Sequence, residues 1–265
     1  MSNRQGDFIW YELMTDDVSA AQKFYGDIFG WQSIDSGQTH QRYEIQLAQD
    51  PDTGETNAVG AFLQLDEDML AGGARPAWVG YIGVSDVDAS VAGVVKAGGS
   101  VLMPAWEVPE VGRMAMLTDP EGVPFYTMRG ASDQKSMAFA DDRPRLGHCA
   151  WNELAADDPK AAMAFYCGQF GWQKDGEMDM GPMGNYEFLR HGGLIGAIMR
   201  KPAEALMPMW HFYFRVADID VAVKKITSGG GKILQGPQEI PGGEFTINAE
   251  DPQRAPFSVI GARSS

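Results

Sequence analysis

Two glutamates stand at matched positions in this chain. Glu12 lies in Trp10-Tyr11-Glu12-Leu13 and Glu153 in Trp151-Asn152-Glu153-Leu154, so the same spacing from a tryptophan occurs twice. A carboxylate can take a proton from a ligand, bind a donor-bearing molecule, or cap backbone and pair with an arginine such as Arg113 or Arg129. Together with imidazole it can hold Zn²⁺, Ni²⁺ or Fe²⁺. The chain has four histidines: His40 and His191 fall in loop-like stretches, His148 sits just before a predicted strand, and His211 opens another. Its two cysteines, Cys149 and Cys167, are too few for a disulfide scaffold and read as small buried hydrophobes. No GxxxxGK[ST], HExxH, CxxC or GxSxG motif is present. The run Gly229-Gly230-Gly231 follows a predicted helix and reads as its C-terminal turn rather than a phosphate loop.

The elements that carry the two glutamates belong to an internal repeat. Residues 10–32 align with 151–173 without a gap, with 13 identities in 23 positions. Pro76 to Tyr81 then matches Pro208 to Tyr213, Val84 to Asp88 matches Val216 to Asp220, and Thr118-Asp119-Pro120 matches Glu250-Asp251-Pro252. The offset falls from 141 to 132, so the second copy is nine residues shorter between these landmarks. In each copy a short alternating strand is predicted first, Phe8 to Met14 and Cys149 to Leu154. A helix follows, with aspartate N-cap chemistry and a glycine at its end. Further strands are predicted at Tyr43 to Ala48, Val59 to Leu65, Trp78 to Val84, Arg113 to Thr118 and Pro124 to Met128, with a second helix over Val87 to Ala97. The second copy repeats the pattern, so each copy reads as βαβββ twice over. The expected organisation is a first module over 1–130, a polar linker over 131–146 and a second module over 147–265.

The repeat resembles the vicinal oxygen chelate superfamily of glyoxalase I, bleomycin-resistance proteins and extradiol dioxygenases. The residues that carry the resemblance are the opening strand followed by D-x-x-x-A-x-x-F-Y-x-x-x-F-G-W, the V-x-D-[VI]-D junction and the terminal D-P turn, each in both copies. The resemblance implies an α+β fold of two tandem βαβββ glyoxalase/bleomycin-resistance modules with curved mixed sheets. It also implies where a metal site would lie: on the first strand, on the strand before V-x-D, and on the last strand. Counted from the motifs, those positions are Trp10, Val79 and Tyr126 in the first copy and Trp151, His211 and Ser258 in the second. Only His211 is an ordinary ligand, and indole is none at all. The inherited metal site is therefore expected to be gone, with no cofactor. The alternative set, two residues along the same face, is Glu12, Glu153 and His211 around one divalent metal, with the glutamates as catalytic residues.

Composition narrows the classes of function. The net charge is −15 and the pI about 4.6, which argues against nucleic acid or an anionic membrane as partner. The first ten residues do not read as a signal peptide, and no apolar stretch reaches bilayer length, so a cytoplasmic protein, monomer or homodimer, is expected. Trp31 and Trp172 and the fifteen methionines read first as packing. Three functions stay open. One is a binder of a small, partly apolar or aromatic molecule in a sheet-lined cleft formed by Trp10, Glu12, Tyr126, Trp151, Glu153, His211 and Ser258. Another is a metal-dependent lyase, isomerase or dioxygenase resembling glyoxalase I, and the last is a protein-interaction module.

Overall fold

A computed structural model of the chain describes residues 3–264. The first half runs β1 (Phe8–Thr15), α1 (Val18–Phe29), β2 (Gln32–Asp35), β3 (Tyr43–Gln49), β4 (Thr56–Gln64), α2 (Glu67–Ala71), β5 (Ala77–Gly83), α3 (Val87–Lys96), β6 (Ser100–Val108), β7 (Gly112–Thr118) and β8 (Pro124–Gly130). The second half runs β9 (Cys149–Ala156), α4 (Pro159–Phe170), β10 (Gln173–Asp179), a 3₁₀ turn at Gly181–Met183, β11 (Asn185–His191), β12 (Gly193–Arg200), β13 (Met209–Val216), α5 (Ile219–Ser228), β14 (Lys232–Glu239), β15 (Phe245–Glu250) and β16 (Pro256–Gly261). Each half is βαβββ twice and forms one eight-stranded mixed sheet, in the orders β2-β3-β4-β1-β5-β8-β7-β6 and β10-β11-β12-β9-β13-β16-β15-β14. The first strand of each half runs parallel to the fourth, and the hairpin neighbours run antiparallel. The fold is α+β with open sheets, as the resemblance implied.

Local chemistry explains the helices. Asp17, Asp86, Asp158 and Asp218 each cap a helix, accepting from a backbone N–H of the first turn. Gly30 and Gly171 end α1 and α4 in the left-handed region, at φ 73° and 72°. Only glycine adopts that conformation without strain. The exposed strands β2, β6, β10 and β14 and the short helix α2 are absent from the sequence expectation. The segment expected as a polar linker is partly packed: Ala138 and Phe139 are buried, and Phe139 bridges to Cys149.

By contacts the chain divides into two compact units, each assembled from both halves. One takes the segment up to Trp10 with 79–136 and 151–210; the other takes 11–78, 137–150 and 211–265. In the first, Tyr166 donates to Asp119 Oδ2 at 3.1 Å and accepts from Trp210 Nε1 at 3.1 Å, while Trp172 Nε1 donates to the Gly6 carbonyl at 2.8 Å. Phe125 packs against Phe165, Tyr166 and Phe170, so the face of α4 that carries FY and FGW is core. The second unit repeats the arrangement. Tyr25 donates to Asp251 Oδ2 at 3.0 Å and accepts from Trp78 Nε1 at 3.1 Å, and Trp31 Nε1 donates to the Gly147 carbonyl at 2.8 Å. Trp31 and Trp172 are both buried, as expected. The motif residues thus serve the fold.

Candidate functional site

The face of β9 that carries Glu153 is a built polar site at positions singled out from sequence. Glu153 pairs with Ala197 on β12, and Ala197 pairs with Phe188 on β11, so the three share one row of the sheet. A methyl group in the middle of that row leaves room for longer side chains to meet over it. Tyr186, two residues before Phe188, donates its hydroxyl to Glu153 Oε2 at 2.7 Å. Trp151 Nε1 donates to Tyr186 Oη at 2.7 Å. Indole can only donate, so the phenol accepts from it and turns its own hydrogen to the carboxylate. The chain of hydrogen bonds has one direction, and it ends with Glu153 as acceptor. Trp151 and Tyr186 each meet Phe188 edge to face, at 6.2 and 5.7 Å between ring centroids. Glu153 is buried, whereas Trp151, Tyr186 and Phe188 are half-buried. Three aromatic surfaces thus remain in part open above a held carboxylate.

In the first sheet, register places Glu12, Ala61 and Ile45 on the equivalent row. Glu12 is buried at 2% exposure, and Trp10 is half-buried. Tyr126 is buried and stacks on Tyr81, its partner in register, with centroids 4.1 Å apart. Ser258 is buried and donates to Asn248 Oδ1 at 2.7 Å, on a row shared with Tyr213. His211 is half-buried on β13, two residues before Tyr213. Trp151, Glu153 and Tyr126 therefore lie in one contact unit, and Glu12, His211 and Ser258 in the other. Arg113 pairs with Asp88 at 2.8 Å, on the exposed side of its strand.

Sequence reasoning passed over Tyr186, Phe188 and Tyr81. For Tyr186 a signal existed: Tyr43-Glu44 and Tyr186-Glu187 recur at an offset of 143. The loops before them differ in length and hide the match. His148 and His191 are structural, and His40 is exposed in a loop. His148 is fully buried with Nδ1 2.6 Å from the Met137 carbonyl, and burial holds its pKa below the usual value. His191 Nε2 lies 3.5 Å from Asp7, but burial again lowers its pKa, so the ring facing Asp7 at neutral pH is uncharged. Burial pushes the Cys167 thiol up, away from the reactive thiolate.

The same fold has been solved in proteins of known chemistry. The chain superimposes over its full length on 84% of a Mn(II)-bound glyoxalase from Novosphingobium aromaticivorans, with a TM-score of 0.65 at 19% identity. Over 99% of its length it matches 94% of the 2,3-dioxygenase LapB of a Pseudomonas species, at TM-score 0.62 and 14% identity. A family model for the Glyoxalase/Bleomycin resistance protein/Dioxygenase superfamily matches residues 8–126 and 145–258. The chain belongs to this superfamily. A relative named "Putative glyoxylase CFP32", from Mycobacterium tuberculosis, is 36% identical across 97% of this chain and 95% of its own. Another, the anthracycline biosynthesis protein DauV of a Streptomyces species, is 27% identical across 97% of this chain and 93% of its own.

Superfamily membership raises the question of a metal, and the donor types at the positions counted from the motifs bear on it. At Trp10 and Trp151 an indole offers an N–H and no lone pair, and Val79 offers no ligand atom. Tyr126 is stacked on Tyr81, and the Ser258 hydroxyl is committed to Asn248. These five do not fit a divalent ion, whereas His211, the sixth position, carries an ordinary ligand atom. Among the described residues no group of three or more His, Cys, Asp or Glu side chains is arranged to hold one.

Proposed function

We propose that this superfamily member binds a small molecule with an aromatic or partly apolar body on the sheet face formed by Trp151, Tyr186 and Phe188, with Glu153 orienting its polar end and no metal taking part. The observation that supports this reading most is the one-way chain Trp151 to Tyr186 to Glu153. It fixes two aromatic planes and one carboxylate relative to each other before any ligand arrives. Preorganised aromatic surface binds flat ligands at low entropic cost, worth about 1–3 kcal/mol per ring stacked. A buried carboxylate favours a ligand that presents a hydrogen-bond donor or a cation. By its register Glu12 is the corresponding carboxylate of the first sheet, and Trp10, Tyr126, His211 and Ser258 are candidate lining residues. No membrane-spanning helix is present among the described residues, and nucleic acid is a poor match for a charge of −15.

A second reading is a divalent-metal lyase or dioxygenase, with Glu153 in one contact unit and Glu12 and His211 in the other as separate candidate ligands. It draws support from the glyoxylase name of a relative at 36% identity, while the donor set at the inherited positions speaks against it. Native mass spectrometry of gently purified protein, without chelator, separates the two. A co-purified organic molecule that is lost from folded Trp151→Ala is the expected result. One divalent ion per chain, retained in Trp151→Ala and lost in Glu153→Gln, would replace the first reading by the second.

A further inference from the structure

The surface around Glu153 leaves unused a cleft of about 340 Å³ in the contact unit that holds α1 and α5. Its wall includes Arg143, Arg145 and Arg215 beside Asp50, Asp52, Glu244 and Leu146. Three guanidiniums in one cleft are a concentration for a chain with 21 basic and 36 acidic residues. Two of them are tied into the wall. Arg145 is 9% exposed and donates to Asp142 at 2.7 Å and to Asp50 at 3.3 Å; Arg143 also donates to Asp50. Burial alone would raise the Asp50 pKa, yet amide N–H groups of Asp52 and Thr53 and the Arg143 guanidinium bring it below the ordinary carboxylate range.

Arg215 is held differently. Both terminal nitrogens turn to a single carboxylate, with Nη2 3.1 Å from Glu244 Oε2 and Nη1 bonded to Oε1. Its Nε is buried and has no hydrogen-bond partner. The Arg215 side chain is 12% exposed and that of Glu244 is 33% exposed. The guanidinium therefore belongs to the wall and the carboxylate is the solvent-side partner. Glu244 follows Gly242 and Gly243, both at positive φ, in the turn between β14 and β15. The internal repeat shows that the fold does not require this pair. At the offset of 132, Gly83 stands opposite Arg215 and Gly112 opposite Glu244. The scaffold contacts recur in both halves, as in the tyrosine–aspartate bonds of Tyr25 and Tyr166, whereas the ion pair occurs in one half alone.

We infer that this cleft is a binding site for a small carboxylate-bearing molecule, whose carboxylate takes the place of Glu244 on the Arg215 fork. A guanidinium presents a planar pair of donors matched to a carboxylate, and one carboxylate can replace another there without leaving the cation unpaired. The ligand then gains contact with Leu146, Pro144 and Val216, which also line the cleft. A volume of about 340 Å³ lies at the small end of ligand sites and admits a short-chain acid.

Succinate titrated into the full chain tests the assignment, with calorimetry for affinity and the Arg215 Nε–H resonance for location. Glu244→Gln removes the resident carboxylate charge and keeps its shape. It should bind succinate roughly ten-fold more tightly than the natural chain, and binding should shift the Arg215 resonance. Adding Arg215→Lys to that variant should abolish the gain. If that double variant does not fold, Arg215→Gln in the Glu244→Gln background, which lets the two amides pair, should abolish the gain instead. The inference is overturned if Glu244→Gln binds succinate no more tightly than the natural chain, or if binding leaves the Arg215 resonance unmoved. Inorganic phosphate binding as tightly as succinate would also overturn the carboxylate assignment.

Discussion

The phenol of Tyr186 has two jobs: accepting the Trp151 N–H and donating to Glu153. Tyr186→Phe removes both bonds and leaves a buried carboxylate oxygen short of a donor. The variant should lose about 1–2 kcal/mol of stability in urea melts and bind ligand more weakly. Unchanged stability and binding together would show that the relay plays no part in the site. Asp251 makes a second prediction at this scale. Burial, opposed by hydrogen bonds from the Ala255 and Gln253 amides and from Tyr25, raises its pKa from 3.8 to about 6. The folded chain therefore holds a proton there that the unfolded chain releases near pH 4. The associated stabilisation is fully present below that pH and is lost as pH rises through about 6. A shift of about two units corresponds to at most about 3 kcal/mol. Unfolding free energies of the natural chain and Asp251→Asn, compared at pH 4.5 and 7, should differ by a smaller pH slope in the variant. Parallel slopes would remove Asp251 as the source. Asp119, the counterpart on Tyr166, is shifted in the same direction by burial.

Elements were legible in proportion to how much of them is buried. The four strands missing from the sequence expectation, β2, β6, β10 and β14, are the four edges of the two sheets. Edge strands with both faces near water carry no apolar alternation: Gln32 to Asp35 and Gln173 to Asp179 are largely exposed. Inner strands and helices α1, α3, α4 and α5 announced themselves, α4 to the residue. Where strands meet closely, backbone geometry is strict. A Cβ on Gly196 would stand 1.8 Å from the Asn152 carbonyl oxygen, in the parallel pair β9–β12 that carries Glu153. Gly196→Ala should cost more than about 3 kcal/mol and shift the Trp151 fluorescence environment. Asp158→Ala, which only uncaps α4, should cost about 1 kcal/mol and leave ligand binding intact. A reversal of that order would mean that the β9–β12 pair relaxes freely.

For the whole molecule, the sequence repeat and the compact units run along different lines. The repeat divides the chain near residues 131–146, whereas each contact unit takes segments from both halves. Tyr25 of the first half finds Asp251 and Phe257 in the second, and Phe125 of the first finds Tyr166 and Phe170 in the second. A fragment of residues 1–130 would expose those aromatic faces to water. It should fail to melt cooperatively as a monomer, or associate into a dimer that restores the missing contacts. Light scattering with thermal unfolding reads this directly, and a stable monomeric fragment would show that the half folds without its partner.

By itself the sequence determined the repeat, the superfamily, the helix ends and the burial of the FGW tryptophans. Those depend on local propensity, spacing and apolar periodicity, which a chain carries along its length. It also placed Glu153 and Trp151 two residues apart on one strand face. Only the tertiary structure decided what meets them. Tyr186 reaches Glu153 across a row whose middle residue is Ala197, and that row exists only once β9, β12 and β11 have paired in register. The Arg215–Glu244 fork likewise joins residues 29 apart in sequence, with no local pattern to mark them. Side chains that do chemistry are brought together by strand register and loop length, and neither is encoded in the spacing of the residues themselves.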